Sequence, residues 1–199
     1  MRRCGPALLG LLLGACAGVP TGPGLSDPGS APWEVHRAAV DRLQRWSLQG
    51  RVALHTPEEG WQAGLVWTQM ASGYSLRIMA PLGQGTYGLD GGLTEVALRT
   101  PDNRIQVARD PEALLQRNLG WSLPVSGLHY WVRGIPDPRA AIDSLDTDPS
   151  GRLTELQQSG WRIRVREYGR YLGLDLPKRI FLDTDRFKVR IAIERWDLG

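Results

Sequence analysis

The sequence predicts a mainly β fold with helices: a curved antiparallel sheet that forms an incomplete barrel, with helices over one face. From about residue 46 to 109, apolar residues recur with a period of two, as in Trp61, Ala63, Leu65 and Trp67. Two helical signals follow, and four strand-like runs end the chain. We therefore expect two groups of short strands with helices inserted between them.

The first fifteen residues have the layout of an export signal. Arg2 and Arg3 precede an apolar run from Ala7 to Leu13, which is too short to span a bilayer. The segment ends in Leu13-Gly14-Ala15-Cys16, which matches the lipobox of bacterial lipoproteins. This resemblance implies cleavage before Cys16, diacylglycerol on its sulfur and a third acyl chain on the new amino terminus. An ordinary secretory signal with an incidental cysteine is the alternative.

Cysteine use and charge agree with that interpretation. Cys4 lies in the discarded segment and lipid would consume Cys16, so the mature chain keeps no thiol for a disulfide or a metal. The formal charge of +3 includes Arg2 and Arg3, and the small remainder does not indicate a nucleic-acid partner. Because Asp in the position of Ala17 usually favours retention in the inner membrane, we expect anchoring in the outer membrane, facing the periplasm.

A tether precedes one expected domain of residues 33–199. Residues 16–32 hold the lipidated cysteine and a stretch crowded with Gly and Pro, which has little apolar surface to bury. From Trp33 to about Arg45, helical spacing relates Val35, Ala39, Leu43 and Trp46, which predicts an amphipathic helix.

Later helix boundaries have local signals. Asp110-Pro111 offers an N-cap and a first-turn proline, and Gly120 offers a stop. Ser126 is expected to cap a second helix that ends at Gly134, with Pro136 just beyond. Strands are then predicted at about 152–158, 161–168, 174–183 and 186–196.

The residues do not favour an enzyme. His36, His55 and His129 are too scattered for a metal spacing, and no glycine-rich phosphate loop or Gly-x-Ser-x-Gly segment occurs. Asp183 and Asp185 are interpreted as part of a hairpin turn rather than as paired acids. We therefore expect no catalysis and no cofactor.

Three arginines alternate with apolar residues in one predicted strand. Arg162, Arg164 and Arg166 are interpreted as a solvated strand face, and a phosphate-binding row is the alternative.

The order of several short motifs resembles the outer-membrane lipoprotein LolB family from about residue 33 to 198. The stretches that carry the resemblance are Trp46 to Leu54, Leu76 to Gly83, Leu123-Pro124, Trp131 to Pro136, Ser159-Gly160-Trp161, Leu176-Pro177 and Ile191 to Trp196. Each stretch is short, so the specificity lies in their order together with the lipobox.

The resemblance implies a helical lid over an apolar cavity that holds lipoprotein acyl chains. It implies a monomer that accepts lipoproteins from the periplasmic carrier LolA and inserts them into outer-membrane phospholipid. The acyl-chain cavity is expected to be lined by Leu65, Trp67, Leu76, Ile78, Trp131, Trp161, Ile163, Ile191 and Trp196. Trp196 fits only if a bulge or strand end intervenes, because strict alternation puts it on the face opposite Ile191.

The turn Pro81-Leu82-Gly83 has two interpretations. Taken alone, it is a hairpin turn whose leucine folds back onto the core. The resemblance implies instead a membrane-insertion loop, with Leu82 as an exposed apolar residue that probes the lipid interface.

Two other functions stay open at this point. One is a structural or assembly lipoprotein that holds an envelope complex without a transfer role. The other is a lipid-modifying hydrolase with an unrecognised site.

Overall fold

The computed structural model describes residues 29–57, 59–83, 85–92, 94–120 and 123–199. The predicted signal peptide, the predicted lipid anchor Cys16 and most of the predicted tether lie outside the described residues.

The described chain forms three α-helices and eleven strands. The helices are α1 (Ala31–Asp41), α2 (Pro111–Leu119) and α3 (Val125–Trp131). The strands are β1 (Trp46–His55), β2 (Gly60–Met70), β3 (Gly73–Met79), β4 (Thr86–Gly91), β5 (Val96–Arg99), β6 (Ile105–Ala108), β7 (Ile142–Thr147), β8 (Leu153–Gln158), β9 (Trp161–Tyr171), β10 (Leu174–Asp183) and β11 (Lys188–Leu198). A short 3-10 turn, Pro81–Gly83, follows β3.

All eleven strands belong to one antiparallel sheet in the order β6-β5-β4-β3-β2-β1-β11-β10-β9-β8-β7. Neighbouring strands are consecutive in the chain except at the centre, where β1 pairs with β11. The sheet does not close, since β6 and β7 remain at its edges. This confirms the predicted mainly β fold with an incomplete barrel and added helices.

The inner face of the sheet carries the core, as the period of two predicts. In β2, Ala63, Leu65 and Trp67 are buried while Gln62 and Thr68 are exposed. The helices pack on the inner side, α1 against β10 and α2 against β5 and β6. Because each fully buried Leu, Ile or Val contributes about 1.5–3 kcal/mol, this shared core holds the helices to the sheet.

A bulge in β11 turns Trp196 inward. Opposite β11, Gln49 pairs with Arg195 and Gly50 pairs with Ile193, so that Glu194 is the extra residue. The alternation shifts by one position there. Trp196 and Ile193, which strict alternation would place on opposite faces, are therefore both buried, and Trp196 is only 6% exposed. Of the two interruptions that would fit Trp196 to the inner face, a bulge or a strand end, the structure has the bulge.

The two mid-chain helices begin differently. Asp110 caps α2 as predicted, its side chain accepting a hydrogen bond from the Ala113 N–H at 3.1 Å, and Gly120 ends it at φ 77°. The prediction that Ser126 caps the next helix is wrong, because α3 begins at Val125 and Ser126 lies inside it. The Ser126 N–H donates instead to the Glu112 carboxylate of α2 at 2.9 Å, which places a negative charge at the start of α3.

Other boundaries also depart from expectation. The first helix ends at Asp41, and Trp46 already belongs to β1. Val35 is 72% exposed, and Trp33 and Val40 form the buried face of this helix instead. Strand β7 was not predicted, since its polar residues hide the alternation.

No helix among the described residues has the length and hydropathy needed to cross a membrane.

We expect Gly50→Ala to destabilise the fold at the bulge. An added Cβ would lie 2.1 Å from the backbone oxygen of Ala192, which cannot move without breaking the β1–β11 pairing. A loss of about 1–3 kcal/mol in the free energy of unfolding is expected, measured by urea denaturation. The control is Gly64→Ala, where the added Cβ meets the flexible Cε of Met79. Equal losses in both variants would contradict the proposed role of the bulge.

Candidate functional site

An aromatic cluster lies on the inner face around the first strand. The ring of Trp46 lies 5.6 Å from that of Trp67 and 5.5 Å from that of Trp196, and Trp67 lies 5.8 Å from Tyr74. The register explains the cluster, because Trp67 and Trp196 both pair with Leu48 from opposite sides of β1. Strand pairing thus gathers residues that are far apart in sequence into one apolar surface.

A pocket of about 340 Å³ separates part of this surface from α3. Trp67 and Tyr74 form its sheet side, and Val125, His129 and Tyr130 form its helix side. Tyr74 lies near the start of β3, so the pocket is at that end of the sheet. Its volume lies at the lower end of the usual range for ligand pockets, roughly 300–1,000 Å³.

Charged residues surround this aromatic pocket. Glu95, Arg109 and Arg139 also line it. Arg139 is held in place, since it contacts the Asp137 carboxylate at 2.8 Å and donates to the Ser126 carbonyl at 3.0 Å. Its lining combines aromatic side chains with charged and polar ones, which suits an amphipathic ligand.

His129 connects α3 to the sheet. Its Nδ1 lies 3.0 Å from the Gln69 side-chain oxygen, and its ring lies 6.0 Å from that of Trp46. Burial, helped by the nearby charges of Arg133 and Arg139, lowers the pKa of His129 to about 4. The imidazole is therefore neutral at pH 7. Burial also disfavours the charged form of the Tyr74 hydroxyl, and for this acid the result is a raised pKa.

Polar contacts fix the far end of α3. The Trp131 indole N–H donates to the Gln158 side-chain oxygen at 2.9 Å, and the Gln158 amide donates to the Asp137 carbonyl at 2.8 Å. The buried Arg133 guanidinium donates to the backbone carbonyls of Val40, in the last turn of α1, and Leu43, just after it. Helix α3 is thus held both by its buried residues Val125, Leu128 and Trp131 and by directional hydrogen bonds at its far end.

The predicted cavity residues mostly lie within the packed core. Eight of them are at most 6% exposed: Leu65, Trp67, Leu76, Ile78, Trp131, Ile163, Ile191 and Trp196. Trp161 is half-buried, with its ring 6.5 Å from that of Trp131. Only Trp67 of the predicted set lines the pocket beneath α3, so the role of the others in holding acyl chains stays a prediction.

Two residues of this region were not predicted to belong to the site. Trp46, whose ring lies beside those of Trp67 and His129, was related to the first helix by its spacing, and His129 was considered only as a metal ligand. One signal for His129 was available in the sequence, since it lies two residues before Trp131 in a short apolar helix. The proximity of Trp46 and Tyr74 to α3 depends on strand register, which one strand's sequence does not contain.

The turn Pro81–Gly83 follows β3 as a 3-10 turn, and Gly83 has a φ of 74°. Only the backbone of Leu82 is described, so its predicted exposure is not tested. Among the described residues, no group of three His, Cys, Asp or Glu side chains is placed to hold a metal ion.

Comparison with protein families finds a match to the family described as outer membrane lipoprotein LolB over residues 44–196. A curated relative from Nitrosococcus oceani, named outer-membrane lipoprotein LolB, is 36% identical over 189 residues, covering 95% of this chain and 94% of the relative. A relative of the same name from Alkalilimnicola ehrlichii is also 36% identical, covering 96% of this chain and 94% of the relative.

Solved structures share the fold at low identity. A LolA superfamily protein from Nitrosomonas europaea matches with a TM-score of 0.53 at 10% identity, covering 85% of this chain and 92% of that one. A putative outer membrane lipoprotein-sorting protein domain from Vibrio parahaemolyticus matches with a TM-score of 0.52 at 9% identity, covering 83% of this chain and 90% of that one.

We expect His129 to make the fold less stable as the pH falls. Since the pKa of His129 is about 4 in the folded chain and 6.5 at its ordinary value, the unfolded chain binds the proton first. Its contribution is complete above pH 6.5 and is lost as the pH falls towards 4. Because the ring is partly exposed, about 1–2 kcal/mol is expected rather than the full linkage value.

The measurement is the difference in unfolding free energy between the native chain and His129→Gln from pH 7 to pH 4. Burial also lowers the pKa of His36, so both proteins lose stability over this range, and only their difference reports on His129. A difference that does not change with pH would contradict the neutral, buried state of the imidazole.

Proposed function

This chain belongs to the outer-membrane lipoprotein LolB family, and we propose that it accepts lipoproteins from a LolA-type carrier and inserts them into the outer membrane. It is accordingly an outer-membrane lipoprotein of the lipoprotein localisation pathway, a transport receptor rather than a known enzyme.

The observation that supports this proposal most directly is the aromatic pocket between the inner face and α3. Trp67, Tyr74 and Val125 give it apolar surface, and charged residues also line it. A lipidated amino terminus has the matching chemistry, with apolar chains joined to polar ester and amide groups. In addition, the buried Trp67 indole N–H has no hydrogen-bond partner among the described residues, and a ligand carbonyl would satisfy it.

The energetics explain why a binding cavity is needed. Each CH₂ group removed from water contributes about 0.8 kcal/mol, so free acyl chains in the periplasm carry a large cost. A cavity that binds them less strongly than a bilayer does can accept them and then release them downhill. Such transfer changes no covalent bond.

The pocket must enlarge to hold whole acyl chains. Most of the predicted cavity residues are packed against one another, and the pocket of about 340 Å³ lies under one short helix. Helix α2 meets the sheet edge through a paired contact between the side chains of Gln106 and Asn118, at 2.6 and 3.2 Å. We therefore propose that α2 and α3 form a lid that moves away from the sheet when a lipoprotein enters.

The pocket and the turn Pro81–Gly83 lie at opposite ends of β3. Tyr74 is near the start of this strand and Pro81 follows its end, a separation of about 20 Å at 3.3 Å per residue. We propose that the pocket end receives the cargo and the turn end contacts the bilayer. From Cys16 to Gly29 an extended chain reaches about 45 Å, enough for either end of the sheet to approach the membrane.

A structural or assembly role remains the second candidate. The edge strand β6 exposes Ile105 and Val107, at 55% and 56%. An open edge with exposed β-branched residues suits docking of another strand. The uptake experiment below separates this role from transfer.

We expect a cross-link between α2 and β6 to block acyl-chain uptake. With Gln106→Cys and Asn118→Cys joined by a disulfide or a short thiol cross-linker, uptake of a fluorescent fatty acid should fall by at least about tenfold, because the open state is removed. Reduction of the disulfide should restore it. The control pair is Thr68→Cys with Ser75→Cys, which links two neighbouring strands and leaves the helices free.

Equal uptake in the locked and reduced forms would show that α2 does not act as a lid. An absence of uptake in the native chain itself would instead favour the structural role.

We expect Leu82→Glu to slow insertion of a bound lipoprotein into liposomes by roughly tenfold, with acceptance from the carrier unchanged. The control is Leu172→Glu, at an 85% exposed leucine in the β9–β10 turn. Five antiparallel pairings separate β3 from β9, so these strands run in opposite directions and the two turns lie at opposite ends of the sheet. If both variants slow insertion equally, or if Leu82→Glu also abolishes acceptance, Leu82 is not the membrane probe.

A further inference from the structure

The outer face of the sheet carries a groove that the proposed transfer does not use. It occupies about 570 Å³ across β2, β1, β11 and β10, on the face away from the helices. Its floor includes three small residues on three strands, Gly64, Ala53 and Ala192. Gly64 and Ala192 pair with Arg51 from opposite sides, and Ala53 lies two positions along β1. These small residues leave a depression around the Arg51 side chain.

Long side chains form the walls of this outer groove. Met79 pairs with Gly64 at one side, and Pro81 adjoins it. On the other side, Phe181 pairs with Arg190, whose guanidinium carbon lies 4.4 Å from the centre of the phenyl ring. This stacking holds the two side chains against each other at that side of the groove. The groove therefore has apolar walls although it lies on the polar face of the sheet.

Every charged residue among the described lining of the groove is an arginine. These residues are Arg51, Arg179 and Arg190. Their carboxylate partners, Glu194, Glu167 and Asp183, stand outside the lining.

The geometry of these ion pairs leaves donors for a ligand. Arg51 contacts Glu194 through Nε at 2.8 Å, and Arg179 contacts Glu167 through Nε at 3.0 Å. Within the described chain neither guanidinium has a second carboxylate, so the Nη groups of both remain for another acceptor. The side chains of Arg51 and Arg179 are 78% and 66% exposed, so a ligand can reach them. A planar guanidinium with free donors is well suited to phosphate.

We infer that the outer groove binds the headgroup and the adjoining part of one anionic phospholipid of the membrane. The arginines match the charge of the phosphate, and Met79, Pro81 and Phe181 match the apolar part that follows it. The groove reaches Pro81, so it lies at the sheet end that we assigned to the bilayer. The inference rests on that part of the proposed function and adds the class of lipid that the receiving surface recognises.

Photo-cross-linking of the full-length protein anchored in vesicles of phosphatidylethanolamine and phosphatidylglycerol tests the inference. A benzoylphenylalanine in place of Gln62, which lines the groove, should form phosphatidylglycerol adducts detected by mass spectrometry. The same probe at Thr68 is the control, because both positions are exposed on the outer face of β2 about 20 Å apart. We expect adducts at position 62 and few at position 68.

Matched charge variants separate a site from general attraction. Arg51→Gln with Arg179→Gln should reduce adducts at position 62 by about fivefold for each arginine removed. Arg77→Gln with Arg162→Gln removes the same charge from exposed ion pairs outside the groove lining and should have little effect. Ala53→Leu, which keeps all the arginines and fills the floor, should also reduce the adducts.

Equal adducts at positions 62 and 68, or equal losses in the two double variants, would overturn the inference. Full displacement by millimolar inorganic phosphate would also overturn it, since that result identifies a free-anion site rather than a lipid site. The vesicles contain neither carrier nor cargo. A failure of lipoprotein transfer therefore leaves this result unaffected, and the two proposals can fail separately.

Discussion

The pairing of β1 with β11 is the contact on which the rest of the structure depends. All other strand pairs join neighbours in the chain, so they form two separate meanders, β1 to β6 and β7 to β11. Only the β1–β11 pairing joins these meanders into one sheet, and it brings Arg51 to Glu194 across 143 residues of sequence. Closing so long a loop costs entropy, which the shared core must offset.

The same pairing builds both functional surfaces. On its inner side it places Trp46 and Trp196 together, which requires the bulge at Glu194. On its outer side it sets Ala192 beside Arg51 and so creates the floor of the outer groove. Two faces of one strand pair thus carry an aromatic surface under the helices and an arginine-rimmed groove. A change in register by one residue would exchange the faces and destroy both.

Packing also sets a balance between stability and binding. The sheet core is dense, with residues such as Leu76 and Ile163 fully buried. The helix over the pocket belongs to this core through Leu128 and Trp131, and Gln158 and Arg133 add hydrogen bonds to a side chain and to carbonyls. The lid movement that we propose must therefore break apolar as well as hydrogen-bonded contacts.

The sequence by itself determined the fold class, the approximate bounds of α2 and of the last four strands, and the alternating core, because these follow from local periodicity and capping. Once the family resemblance placed Trp196 on the inner face, strict alternation also required a bulge or a strand end before it. It did not reveal β7, whose polar residues mask its period, or the start of α3, which depends on Glu112 from another helix. Tertiary structure alone decided which residues meet at the pocket and the groove. Their sites depend on the register between distant strands, and that register is fixed by pairing energies across the whole sheet rather than by any one segment.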